Sequence, residues 1–281
     1  MIEPVLMDEE LLHDIAESGV HDEALHVWWL GQSGFLLKQA GATFLFDPYL
    51  SESLTEKYAV TDKPHDRMTA RCVDPAKLVG IRDVTASHVH TDHLDSETLV
   101  PLAEANGSLR LFLPYPIRDI ARERLGKASV ALVGLTDDGH WHGDGWKVRA
   151  VAAKHNELKR DDDGCCHFVG FIVKRGPFTV YHSGDTLWHE GLVSELLPER
   201  CDLMLLPING NKPERRVAGN LNGTEAAALA KACGARMVVP CHYEMFAFNT
   251  ETPEEFEHAC ERLDQPYSVM RCGGHLMMQP R

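Results

Sequence analysis

The chain has 281 residues, 44% hydrophobic and 25% charged, the balance of a soluble folded protein with room for one large domain or two small ones. Its 42 acids outnumber 28 lysines and arginines, a net charge of −14. That argues against duplex nucleic acid as the main partner, because phosphate binding rests on a basic footprint. No apolar run approaches the ~18 residues of a bilayer span. The expected partner is therefore a small-molecule substrate, with no nucleic acid, no membrane, and a homo-oligomer left open.

The opening "MIEPVLMDEELLHDIAESG" is acidic and lacks the positive start and apolar core of a secretory signal. Eight cysteines show no C-x-x-C spacing, and the vicinal Cys165–Cys166 is a poor disulfide. Buried free thiols in a reducing cytoplasm are the expectation.

No low-complexity tract divides the sequence, so a single domain over residues 1–281 is expected. "DEELLHDIAES" has helical spacing at Leu11, Leu12, Ile15 and Ala16. Strands follow in "HVWWLG", "GFLLKQ" and "TFLFDP", with hairpin turns at Gly31–Gly34 and Ala40–Gly41. "RDVTASH" is a further strand, and Asp95 or Ser96 caps the helix after it. "PIRDIARERL" reads as a helix with Ile117, Ile120, Ala121 and Leu125 on one face. "GWKVRAVAAKH", "FVGFIVKR" and "PFTVYHSGD" form a second strand group; "CDLMLLPING" and "ARMVVPCHYE" flank a helix opening on Asn222 and Glu225 at capping-box spacing. "YSVMR" and "HLMM" close the chain as strands. Two strand groups separated by helices predict an α/β protein: an αββα sandwich of two mixed β-sheets flanked by helices.

One stretch does not fit a regular element. "SHVHTDHLD", residues 87–95, packs His88, His90 and His93 around Asp92. In a strand His88, His90 and Asp92 share a face, and His93 breaks that alternation. The chain must turn there, and imidazoles with carboxylates converging at a turn suit a metal. His155, Asp185 and His242 each follow a predicted strand, which lets distant segments reach one rim.

H-x-H-x-D-H, with Asp47 after an early strand, Asp185 in a G-D turn and a late histidine, resembles the metallo-β-lactamase fold. "VWWLGQSGFLLK", "YHSGDT", "VVPCHYEMF" and "CGGH" resemble the branch containing L-ascorbate-6-phosphate lactonase. The resemblance implies two divalent ions: His88, His90 and His155 on one, Asp92, His93 and His242 on the second, and Asp185 bridging. Asp47 would orient a ligand. The implied chemistry is hydrolysis by a metal-activated hydroxide of a small anionic lactone or carboxylic ester, with Asp92 and Asp185 catalytic. One departure stands out, since that lactonase branch carries an Asp-rich segment where this chain has "AAKHN".

An all-N/O donor set admits manganese, zinc or iron; the lactonase resemblance favours manganese and the wider family zinc. Lys212, Arg215 and Arg216 follow a strand and are candidate phosphate contacts, against the alternative of a solvated basic loop. Trp28, Trp29 and Trp188 are candidate pocket walls. His140 and His142, in "DDGHWHGDG", read as surface residues of a glycine-rich hairpin turn. Competing functions are a phosphodiesterase on a lipid or nucleotide, weakened by the acidic charge, and a non-catalytic metal-binding protein, weakened by the full ligand complement.

Overall fold

The computed structural model describes residues 1–19 and 22–281. Its strands form two mixed sheets. The first comprises β1 (Leu25–Gly31), β2 (Gly34–Gln39), β3 (Ala42–Phe46), β4 (Asp83–Thr85), β5 (Leu109–Pro114), β6 (Val130–Leu135) and β13 (His275–Met278), ordered β13-β1-β2-β3-β4-β5-β6. The second comprises β7 (His140–Gly143), β8 (Trp146–Ala152), β9 (Val169–Arg175), β10 (Phe178–His182), β11 (Leu203–Pro207) and β12 (Met237–Cys241), ordered β12-β11-β10-β9-β8-β7. Helices α1 (Asp8–Glu17), α2 (Ser53–Tyr58), α3 (Ser96–Asn106), α4 (Arg118–Leu125), α5 (Leu192–Leu196), α6 (Gly223–Ala232) and α7 (Glu254–Leu263) complete the chain. This is the expected sandwich of two mixed sheets flanked by helices.

Period-two patterning explains the layering. In β2, β3 and β5, Phe35, Leu37, Phe44, Phe46 and Phe112 share a core with Trp146, Val148, Phe171 and Val173 of the second sheet. Their alternate neighbours Leu36, Leu45, Leu111 and Leu113 instead pack with Leu99 and Leu102 of α3 and Ala121 of α4. On the second sheet α6 packs against β11 and β12 and is covered by α7. Asn222 closes a full capping box on α6, satisfying amides that a helix start leaves unpaired.

Strand direction sets the position of the site. Strands β3 and β4 are parallel, and β1 shares their direction through two antiparallel steps. Strands β10, β11 and β12 are parallel, and β8 joins them the same way. The residues that follow β1, β3 and β4 thus leave one pole of the first sheet, and those after β8, β10 and β12 one pole of the second.

Several expectations are corrected. "YSVMR" is not a strand: Tyr267 makes one isolated bridge to Val238, after which the chain leaves the sheet edge so that the Tyr243 hydroxyl donates to the Met270 carbonyl. Ile120 is exposed, because the buried stripe runs at four-residue steps through Ile117, Ala121 and Leu125. His140 and His142 stand on β7, an edge strand, rather than in a turn, and both are exposed. Seven of the eight free cysteines are buried and Cys165 is partly exposed. Among the described residues no helix is long and apolar enough to cross a membrane.

Phe44 lies against Phe46 and Phe112 of its own sheet and Trp146 of the other, with ring centroids 5.2–5.8 Å apart. Phe44→Ala should cost about 3–5 kcal/mol in urea unfolding. A loss below about 1 kcal/mol would contradict the inter-sheet core.

Candidate metal centre

The histidine cluster answers its own puzzle in three dimensions. After β4 the chain bends at His88–His90, then makes one turn in which the His93 and Leu94 amides donate to the His90 carbonyl at 3.1 and 2.9 Å. That turn returns His93 to the pole its predecessors face. Asp95 then caps α3, accepting from the Glu97 amide and the Thr98 hydroxyl. The turn is locked from below and cannot unwind without losing the helix start.

Two sets of donor atoms result. His88, His90, His155 and Asp185 form one, and Asp92, His93 and His242 the other, with the donor atoms of each set within 4.8 Å of one another. Asp185 stands between them: its Oδ1 is 3.4 Å from His93 Nε2, and its Oδ2 is 3.5 Å from His242 Nε2 and 3.6 Å from His155 Nε2. Asp92 Oδ2 lies 3.6 Å from His242 Nε2 and 3.7 Å from His93 Nε2.

The imidazoles are aimed by what holds their other nitrogens. His155 Nδ1 donates to the Gly219 carbonyl at 3.0 Å, leaving Nε2 as a lone pair for the cluster. His88 Nδ1 meets Ser87 Oγ at 3.1 Å. His93 Nδ1 donates to Asp47 Oδ2 at 2.7 Å, and the same carboxylate accepts from the Thr85 hydroxyl and the Ser87 amide. Asp47 is thus fully buried beside, not among, the two sets.

The Asp185 turn depends on close approach. Gly184 has φ +57°, and a Cβ there would lie 2.4 Å from Ser87 Cβ. His182 accepts from the Gly184 amide, donates to the Ser33 carbonyl and stacks on Phe46. It is a structural post for this turn. His189 contacts the Ala152 carbonyl, and His275 contacts Asp14 and stacks on Trp28; both lie apart from the donor sets.

The charges fit cations. Burial lowers His88 well below the ordinary imidazole range, reinforced by its histidine neighbours, so it offers a neutral ring. Burial lowers His155 likewise. Burial also opposes the charge on His93, yet the Asp185 and Asp92 carboxylates outweigh it and raise that group well above its usual value. Asp185 is pushed up by burial and pulled further down by His242 and His93, so it remains ionised. Among the described residues, the buried atoms lacking a well-formed hydrogen bond include His93 Nε2 and Asp185 Oδ1, which meet only as an ion pair at 3.4 Å. Orphans of this kind are rare in folded proteins, and here they face each other at the junction of the two sets. The residues present therefore fit divalent ions, with nitrogen and oxygen donors only.

Above the sets opens a cavity of about 420 Å³ whose lining includes His90, Asp92, His155, Asp185 and His242. Of the three predicted basic contacts only Arg216 lines it. Lys212 and Arg215 both pair with Glu251, and Arg215 also donates to the Asn209 and Thr250 carbonyls. In this structure their charges face Glu251 and the loop rather than the cavity. Trp28 and Trp29 are core residues, and Trp188 is exposed outside the cavity lining, so none walls the pocket.

Gln32 was not anticipated. Buried in the β1–β2 turn with φ +49°, it donates from Nε2 to Asp92 Oδ2 at 2.8 Å and lies 3.0 Å from His242 Nε2. Its carbonyl accepts from the His242 amide. The signal available in "LGQSG" was a long polar side chain in a hairpin between two apolar strands.

Residues 42–243 match a family profile described as "Beta-lactamase superfamily domain". A "UPF0173 metal-dependent hydrolase" from Rubrobacter xylanophilus is 31% identical over 268 residues, covering 89% of this chain and 95% of that protein. The chain belongs to the UPF0173 metal-dependent hydrolase family of the metallo-β-lactamase superfamily. Among solved structures, Igni18, described as a metallo hydrolase from the archaeon Ignicoccus hospitalis, superposes with a TM-score of 0.66 at 20% identity, covering 92% of this chain and all of that one. An isothiocyanate hydrolase from Delia radicum gut bacteria gives a TM-score of 0.71 at 18% identity, covering 91% of this chain and all of that one. These two likenesses are of fold. The hydrolase belongs with metal-dependent enzymes, and its donor sets have the chemistry that membership demands.

Asp47→Asn keeps the shape but replaces the charged acceptor at His93. Divalent-metal affinity should fall about 10- to 100-fold, as is usual when a ligand loses its orienting partner. Calorimetric titration of the metal-free variant, with its circular dichroism unchanged, checks this. Wild-type affinity would show that Asp47 does not orient the site.

Proposed function

We propose that this metal-dependent hydrolase cleaves a small anionic lactone or carboxylic ester with the help of two divalent ions, manganese or zinc. The observation that carries the reading is the pair of donor sets joined at Asp185 on the cavity floor. His88, His90 and His155 would hold one ion, Asp92, His93 and His242 the other, and Asp185 both. When bound, such ions act as Lewis acids that acidify a water and polarise the oxygen of the bond under attack.

The chain's own groups do the rest. Asp92 is the one carboxylate of its set and opens onto the cavity, its side chain 15% exposed. It is placed to take a proton from the attacking water and pass it to the leaving oxygen, while Gln32 fixes its orientation. Asp185 and Asp92 together are the catalytic carboxylates of the reading. Neither Ser183 nor Cys241 competes as a covalent nucleophile: the Ser183 hydroxyl donates to the Gly184 carbonyl, and burial pushes the Cys241 thiol well up, away from the thiolate.

The size of the cavity and the basic residues in its lining favour a compact anion over a lipid or nucleotide diester. This agrees with the resemblance of "VWWLGQSGFLLK" and "YHSGDT" to the L-ascorbate-6-phosphate lactonase branch. Small-molecule hydrolysis in the cytoplasm is the corresponding setting.

Protein stripped by a chelator should lose hydrolysis across a screen of lactones, carboxylic esters and phosphate diesters, and regain it with manganese or zinc. Asp92→Asn should lower kcat about 10²- to 10⁴-fold in the reconstituted protein. Turnover that survives exhaustive chelation would end the proposal. Restoration on diesters alone would move it to the phosphodiesterase class.

A further inference from the structure

The cavity mouth has a charge arrangement of its own. Lys63 and Arg216 come from loops more than 150 positions apart, and both line the cavity. Lys63 Nζ donates to the Arg216 carbonyl at 2.5 Å, and Arg216 Nη2 donates to Asp62 Oδ2 at 2.6 Å. The two loops are thereby clasped across the rim. Arg216 has left-handed backbone, φ +52°, after the single turn Pro213–Arg215. That conformation sends consecutive arginines different ways, Arg215 inward to Glu251 and Arg216 outward to the mouth.

The Arg216–Asp62 contact is made to be broken. Its side chains are 61% and 72% exposed, and exposed ion pairs are weak because water and salt compete for both charges. Among the described residues only one guanidinium nitrogen is engaged, whereas a carboxylate or phosphate can take two. Lys57 and Arg124 also line the cavity, and the acids in its lining, Asp92 and Asp185, belong to the donor sets on the floor. Leu54, Phe246 and Phe248 supply apolar wall. An anion entering here meets the cations of the mouth, with Asp62 on Arg216 the one carboxylate it must displace before the donor sets on the floor.

Resting on the hydrolase reading above, we propose that Arg216 and Lys63 form the subsite for a carboxylate or phosphate carried by the substrate away from the cleaved bond. Asp62 holds that subsite in the free protein as an internal competitor. Substrate binding exchanges one exposed ion pair for a two-pronged one and returns Asp62 to water. The acid that looks like a stabilising partner thus sets the affinity threshold for the anion.

The test uses metal-reconstituted protein and two readouts. Calorimetry follows binding of benzoate and of phenyl phosphate, the tighter of which names the anion. Kinetics give the ratio of kcat/KM for the 4-nitrophenyl monoester of succinate to that for 4-nitrophenyl acetate. Asp62→Asn should tighten binding of the preferred anion about two- to five-fold and raise the ratio accordingly. Arg216→Ala should weaken binding and lower the ratio about ten-fold or more, with Arg216→Lys between. Asp62→Asn placed in the Arg216→Ala background should then gain nothing.

Anion binding unchanged or weakened by Asp62→Asn, or a ratio unmoved by Arg216→Ala, overturns the subsite. If neither ester is turned over but the titrations behave as stated, the subsite stands and the hydrolase reading is decided by the wider screen of lactones, esters and diesters. Turnover of both esters with titrations indifferent to both residues removes the subsite alone.

Discussion

Three carboxylates, of Asp47, Asp92 and Asp185, converge on His88, His90, His93, His155 and His242 at one pole of a largely buried cluster. Burying that much negative charge is costly unless it is paired. Without cations the chain answers with histidine protons, which is why His93 and His242 are raised although burial opposes it. Even so, among the described residues Asp185 Oδ1 and His93 Nε2 lack a well-formed hydrogen bond and meet only as an ion pair at 3.4 Å. Divalent ions bound here would satisfy both at once, and their binding would then displace protons. Metal loading and the charge balance of the fold are therefore one problem.

The sheets exist, functionally, to bring those charges together. Asp47, His88 and Gln32 come from the first sheet, His155, Asp185 and His242 from the second, and the clearance between them is set by Gly184 against Ser87. The aromatic layer of Phe44, Phe46, Phe112 and Trp146 holds the two sheets in the register this requires. His182 spans from Phe46 to the Gly184 amide, so the core and the Asp185 turn are joined through one imidazole.

The donor set was legible because metal chemistry limits the residue types and because strand ends converge by topology. His88, His90, Asp92 and His93 carry their spacing in one short stretch, and His155, Asp185 and His242 follow strands whose period-two pattern is visible. Gln32 was not legible, since a glutamine in a hairpin looks like turn filler until His242 is folded beside it. The basic loop was only partly legible for a related reason. Adjacent arginines look equivalent in sequence, and only the left-handed backbone at Arg216 and the presence of Glu251 separate a structural cation from a mouth cation. "YSVMR" has strand composition without a continuing partner, and the edge of β12 gives it one bridge.

The central claim is that Asp185 joins two ion sites. Crystals of the metal-reconstituted protein, with anomalous scattering measured at the absorption edge of the added metal, test it most directly. The account predicts two peaks per chain about 3.5–4 Å apart, one among His88, His90 and His155 and the other among Asp92, His93 and His242, with Asp185 touching both. A single peak at full metal loading, or two peaks with Asp185 bound to neither, would contradict it.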